Sequence, residues 1–295
     1  MKVKTFLPLV IIVSALTVGC NGSTNNNAAN NSITNNNAAT NTVTGTNATS
    51  DENAAPDTRY ATSTVLALNW QQQSGEFDAL CYQAYNSATR SLEELAAQEH
   101  TRPQAVVLDI DETVLDNSIS TGEDIKANRS YTQENFNEWV NRGDAGLVSG
   151  ADRFLNKAKE LGVEVFYVTN RVPENLQTTI TNMNRFGLPN ADAEHLLLKQ
   201  DTSSKQARWN QVAQKYDIIM YCGDNLNDFN GAFYKKTNKE RKALVAEMAD
   251  EFGYKYIVLP NALYGDWEGA MYDYDYSKTD PKKYEVRNGL VNQLP

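Results

Sequence analysis

Five short apolar runs constrain this chain more than any other feature: Ala105–Leu108, Val163–Val168, His195–Leu198, Tyr216–Tyr221 and Lys255–Leu259. β-Branched and aromatic residues are frequent in them, and stretches of helical composition, such as Ala151–Leu161 and Ser203–Lys215, lie between. Buried apolar strands alternating with helices predict an α/β fold, a mostly parallel sheet covered by helices on both faces. In such a sheet ligands bind beyond the carboxyl ends of the strands. The residues that follow each run therefore matter most. The first run delivers Asp109-Ile110-Asp111-Glu112-Thr113, the second Thr169-Asn170-Arg171, and the fourth Gly223-Asp224-Asn225-Leu226-Asn227-Asp228. Lys205 opens the helical stretch ahead of the fourth run.

The remainder of the chain is organised around this core. Val65 to about Gln98 is turn-poor and rich in Ala, Leu, Glu and Gln, which predicts a helix. Residues 117–150 are too many for a simple loop and carry helical patterning near Asn135–Asn141, so they read as an inserted, mainly helical cap. Tyr272, Tyr274 and Tyr276 alternate, as strand or surface-packing residues do. At the start, Lys2 and Lys4 precede an apolar run, Phe6–Val18, that is short for a bilayer span and suits a signal peptide over residues 1–19. Leu16-Thr17-Val18-Gly19-Cys20 resembles the lipobox of bacterial lipoproteins, which implies lipidation of Cys20. Asn21 in place of Asp favours an outer-membrane lipoprotein of the cell envelope. From Cys20 to residue 58 the chain is dominated by Asn, Thr, Ala and Ser, with no charge between Lys4 and Asp51, as expected of a disordered tether ahead of a domain over 59–295.

Composition narrows the chemistry. The 27 basic and 37 acidic residues give a net charge of −10, which argues against a nucleic-acid polymer as partner. Three cysteines without a CxxC pair make neither a disulfide scaffold nor a zinc site. Cys81 and Cys222 lack the following Arg of a cysteine-loop phosphatase, and no Gly-x-Ser-x-Gly or Arg-His-Gly motif occurs. The two histidines, His100 and His195, read as ordinary loop and strand residues. Carboxylates are the abundant reactive groups.

Two aspartates one residue apart at a strand end can divide labour. Asp109 suits attack on phosphorus, and Asp111 suits protonation of the leaving alkoxide and later activation of water. A phosphate ester among carboxylates needs a counter-cation, and Asp224 and Asp228 offer hard oxygen ligands of the kind Mg²⁺ takes. Lys205 would balance the nucleophile's charge and hold a phosphoryl oxygen, while Thr169 and the backbone N–H of Asn170 would donate to the equatorial oxygens. Each piece alone is an ordinary turn, cap or surface charge; the order and placement of the four make the pattern specific.

That pattern, Asp-x-Asp-x-Thr, a strand ending in Thr, a Lys, then Gly-Asp-x-x-x-Asp, resembles the haloacid dehalogenase (HAD) superfamily. Asp109–Ser118, Tyr167–Arg171, Leu196–Lys199 and Trp70–Ser74 with Tyr82–Tyr85 look like the bacterial class C acid phosphatases, over roughly Ala61 to Leu263. The resemblance implies a HAD-like Rossmannoid sheet and a secreted or lipid-anchored phosphoric monoester hydrolase. It also implies Mg²⁺ as cofactor and small phosphomonoesters, including nucleoside 5′-monophosphates, as substrates. Carried over by position, it makes Asp109 the nucleophile and a metal ligand, and Asp111 the acid/base that lends the metal its backbone carbonyl. Asp224 becomes a ligand and Asp228 a support of the metal. It further points to Trp139 and Tyr264 as aromatic residues that stack on a substrate ring, although either could equally be a packing residue. Two alternatives stay open: a non-catalytic ligand-binding surface lipoprotein, which would have no need of paired Asp109 and Asp111, and a phosphotransferase differing only in its acceptor. A homodimer is also left open.

Overall fold

The computed structural model describes residues 58–294. The signal peptide, Cys20 and nearly all of the tether lie outside the described residues. Among the described residues seven strands form in chain order: β1 (Gln104–Leu108), β2 (Leu115–Asp116), β3 (Gly146–Leu147), β4 (Glu164–Val168), β5 (Leu196–Leu197), β6 (Asp217–Gly223) and β7 (Tyr256–Val258). Five of them make one parallel sheet in the order β5-β4-β1-β6-β7.

The period-2 geometry of β1 explains why both faces are covered. Val106 and Leu108 point into a large cluster built with the helices Gly75–Ala96 and Ala151–Glu160. Ala105 and Val107 point the other way, onto Trp209 and Val212 of the helix Gln206–Ala213. On Gly75–Ala96, Cys81, Tyr85, Ala88, Leu92 and Leu95 recur at alternating spacings of four and three, which turns one continuous stripe to the sheet. Cys81 and Cys222 are both buried in this cluster and both free. Among the described residues no helix is long and apolar enough to cross a membrane.

The expected helix over 65–98 is two helices, Val65–Gln73 and Gly75–Ala96, broken at Ser74. Ser74 has extended backbone (φ −94°, ψ 136°), and its hydroxyl accepts from the Phe77 N–H at 3.2 Å while donating to the Trp70 carbonyl at 2.6 Å. Helical composition on both sides concealed a capping serine. The tyrosines at 272, 274 and 276 form no strand: Ala270–Tyr272 is a 3₁₀ turn and Asp273 and Tyr274 take positive φ. Tyr272 is buried, and Tyr276 is exposed.

Residues after β1 leave the sheet and return through a two-stranded antiparallel ribbon, Leu115 opposite Leu147 and Asp116 opposite Gly146. Between these strands lie the helices Ser118–Lys126 and Gln133–Arg142. The second is capped by Thr132, whose side chain accepts from the Asn135 N–H, and stopped by Gly143 in the left-handed region.

Replacing Ser74 by Ala removes a cap that accepts an otherwise orphaned helix N–H. The expected result is a loss of about 1 kcal/mol of stability, read from the urea midpoint at unchanged slope; no shift would mean that the break is held by packing alone.

Candidate active site

The site follows from strand register. Leu108 of β1 lies beside Tyr167 of β4 and Cys222 of β6. All three strands run parallel, so their next residues emerge at one edge. Asp109 continues the ladder, its N–H donating to the Cys222 carbonyl at 2.9 Å. Asp224 stands one residue beyond β6, and Thr169-Asn170-Arg171 follow β4. The turn after Asp109 is tight: Glu112 takes φ 55°, and the Tyr85 hydroxyl, from the core helix, donates to the Thr113 carbonyl at 2.6 Å.

Lys205 ties the parts together. Its Nζ lies 2.7 Å from Asp109 Oδ1 and 2.6 Å from Asp228 Oδ1, and the lysine is only 3% exposed. Burial opposes its charge, but the two carboxylates outweigh that and raise its pKa. The other oxygen of Asp228 accepts from the Asn225 N–H at 2.9 Å. This approach needs Gly223, because a Cβ there would meet Asp228 atoms at 2.3 to 2.6 Å.

Carboxylate oxygens of Asp109, Asp224 and Asp228 lie within 4.8 Å of one another. Three carboxylates against one lysine leave a formal excess of two negative charges. Burial, then Asp228 and Asp109, push Asp224 well above the usual carboxylate range. Its hydrogen-bond partners among the described residues are both neutral: Asn261 Nδ2 donates to Oδ2 at 2.8 Å and Thr113 Oγ1 to Oδ1 at 3.4 Å. Asp109 is pushed up to about 7, chiefly by burial, with Asp228 and Asp111 adding and Lys205 opposing. An all-oxygen, doubly negative pocket fits a hard dication, which would reverse these upward shifts.

Asp111 faces different partners. Its Oδ1 accepts from Arg171 Nη2 at 2.8 Å, Arg171 Nε at 3.0 Å and Asn117 Nδ2 at 2.9 Å. Thr169 is fully buried; its hydroxyl oxygen accepts from the Arg171 N–H at 3.1 Å, and its carbonyl accepts from Arg208. Asn170 is exposed, with Oδ1 accepting from Arg208 Nη2 at 2.9 Å. Tyr264 is 39% exposed, and its N–H reaches Oδ1 of the same Asn261 that holds Asp224. Trp139 is 3% exposed, with Arg142 4.4 Å over its ring and its Nε1 donating to Asn117 Oδ1 at 2.7 Å. Aromatic character alone cannot reveal which face a tertiary contact will cover.

Arg171, Asn117, Arg208 and Asn261 had no assigned role on sequence. Arg171 and Asn117 sat inside quoted motifs, Tyr167–Arg171 and Asp109–Ser118, and that adjacency was the available signal.

A sequence model of the HAD superfamily, subfamily IIIB (acid phosphatase), matches residues 22–267. The class C acid phosphatase from Bacillus anthracis superposes with a TM-score of 0.76 at 38% identity, covering 80% of this chain and 98% of that one. The same phosphatase with tungstate bound gives 0.75 and 37%, with equal coverage. Two Glycine max proteins also match. The stem 31 kDa glycoprotein is 27% identical over 128 residues, 40% of this chain and 50% of its own length. The stem 28 kDa glycoprotein is 28% identical over 134 residues, 42% of this chain and 52% of its own. The chain spans about half the length of these curated relatives.

With metal chelated, folded Asp109 keeps a proton up to about 7 that the unfolded chain releases near 3.8. The folded state then binds more protons within that window, so stability falls as pH rises through it. The melting temperature in chelator should therefore drop between roughly pH 4 and pH 7, and Asp109→Asn should lessen the drop, leaving the share of Asp224. An unchanged slope in the variant would contradict this origin.

Proposed function

Because the chain belongs to the acid phosphatases of HAD superfamily subfamily IIIB, we propose that it hydrolyses phosphate monoesters through Asp109 with Mg²⁺ as its metal, nucleoside 5′-monophosphates being among its substrates. The observation that carries this reading is the buried Lys205 between Asp109 and Asp228, beside Asp224. A structural ion pair needs one carboxylate; this pocket holds three, a formal excess of two negative charges over Lys205.

In the proposed reaction, an Asp109 carboxylate oxygen attacks phosphorus and the bond from phosphorus to the ester oxygen breaks. Asp111 gives its proton to the departing alkoxide, which leaves as the alcohol. Asp111 then takes a proton from water, which attacks the aspartyl-phosphate and releases inorganic phosphate with Asp109 restored. Lys205 favours the ionised form of Asp109 for the attack and neutralises part of the phosphoryl charge, while Thr169 and the backbone N–H of Asn170 would donate to the phosphoryl oxygens. Asp109, Asp224 and Asp228, with the Asp111 carbonyl, would hold Mg²⁺, which would supply charge stabilisation to the phosphoryl oxygens. Tyr264, half-exposed at the rim, suits a flat base. Tungstate, the ligand of the related Bacillus anthracis phosphatase, is a tetrahedral oxyanion and so a phosphate-like shape. On the same reading Cys20 bears the lipid anchor and the enzyme works at the outer membrane.

Turnover of p-nitrophenyl phosphate and nucleoside monophosphates should vanish in EDTA and return with Mg²⁺. Asp109→Asn should lower it by roughly four orders of magnitude or more; full activity in either test defeats the mechanism. Cys20→Ser should move the protein from the membrane to the soluble fraction, and continued membrane retention would remove the anchor.

A further inference from the structure

We infer that the helix Gln133–Arg142 positions the acid/base carboxylate through a hydrogen-bond relay, Trp139 to Asn117 to Asp111, an inference that rests on the phosphatase reading above. The relay begins with a group of fixed polarity, since an indole N–H can only donate. Trp139 Nε1 donates to Asn117 Oδ1 at 2.7 Å. That contact decides which way the amide faces. Oδ1 turns to the indole, and Nδ2 turns to Asp111 Oδ1 at 2.9 Å. Asn117 is 2% exposed, so water cannot readily replace either partner. A reversed amide would set its carbonyl oxygen against the carboxylate and its NH₂ against the indole N–H, two repulsive contacts in a buried place.

Arg171 anchors the same oxygen from the sheet side. Nε and Nη2 both reach Asp111 Oδ1, Nη1 donates to Thr179 Oγ1 at 3.0 Å, and Nη2 also lies 3.4 Å from Asn117 Oδ1. Phe136, one turn before Trp139, stands over the guanidinium at 6.0 Å. Three donors therefore converge on Oδ1, and Oδ2 accepts from none of the described residues. A carboxylate pinned through one oxygen presents the other in a fixed direction, which is what transfer of a proton to an ester oxygen requires. Trp139, Asn117 and Arg171 are positioning residues, and docking of this helix is read at Asp111.

The test compares kcat/KM for two esters. p-Nitrophenolate leaves without a proton, whereas the alkoxide of glycerol phosphate needs one, and kcat/KM reports the step in which the leaving group departs. Trp139→Phe keeps a buried aromatic ring but removes the N–H with the rest of the five-membered ring, so the selectivity between the two esters, and not the loss itself, is the readout. Glycerol phosphate hydrolysis should fall about tenfold, with p-nitrophenyl phosphate changed less than about twofold. Asn117→Asp, of the same shape but with a carboxylate facing Asp111, should show the same selectivity with a larger loss, and carries the test if the first variant folds poorly. Parallel losses on both esters, or none on either, would overturn the relay while leaving the hydrolase intact. A wild-type protein inactive on both would instead remove the hydrolase reading, and the relay with it.

Discussion

A buried lysine between two carboxylates is the interaction on which the site depends. Parallel strands of matched register necessarily bring their ends together, and here those ends carry Asp109 and Asp224, with Asp228 following on a short turn. Such a cluster would drive itself apart without positive charge. Lys205 supplies one unit at 2.6 to 2.7 Å from two of the three acids. Removing one partner from a buried ionic cluster typically costs about 3–5 kcal/mol. The same arrangement leaves a negative surplus, so the pocket is fitted to cations and, through them, to phosphate.

Asp109 and Asp111 illustrate how environment divides two like groups. They are one residue apart on the chain, yet the tight turn at Glu112 sends them to different partners. Asp109 meets a lysine and other acids; Asp111 meets a guanidinium fork and an asparagine amide. One setting suits a nucleophile among phosphoryl and metal charges, the other a carboxyl held for proton transfer. The inserted segment reaches this second setting directly, through Trp139 and Phe136 of one helix face.

Much of the architecture was legible in the chain. β-Branched runs at 105–108 and 163–168 announced central strands because strands buried on both faces must be apolar throughout. Lys205 was legible only in combination: alone it reads as a surface charge, and the order of the acidic strand ends around it singled it out. The helix break at Ser74 was not, since its flanks both favour helix and only the hydroxyl's bonds to Trp70 and Phe77 disclose it. The surroundings of Trp139 were not legible for a similar reason: an aromatic ring near a site has the same letter whether it meets a ligand or Arg142. Arg171 was passed over because a charged residue after a strand is ordinarily solvated, and its 1% exposure is a property of the assembled fold.

The sequence by itself determined the parallel α/β order, the acidic strand ends and the family pattern from which the phosphoryl chemistry is proposed. These are local matters, set by periodicity, strand length and residue type. Only the tertiary structure decided which oxygen of Asp111 is occupied, which way Asn117 faces, and that a tryptophan 22 residues further on sets it. Hydrogen-bond direction and burial arise from contacts between segments distant in the chain, and no local pattern encodes them.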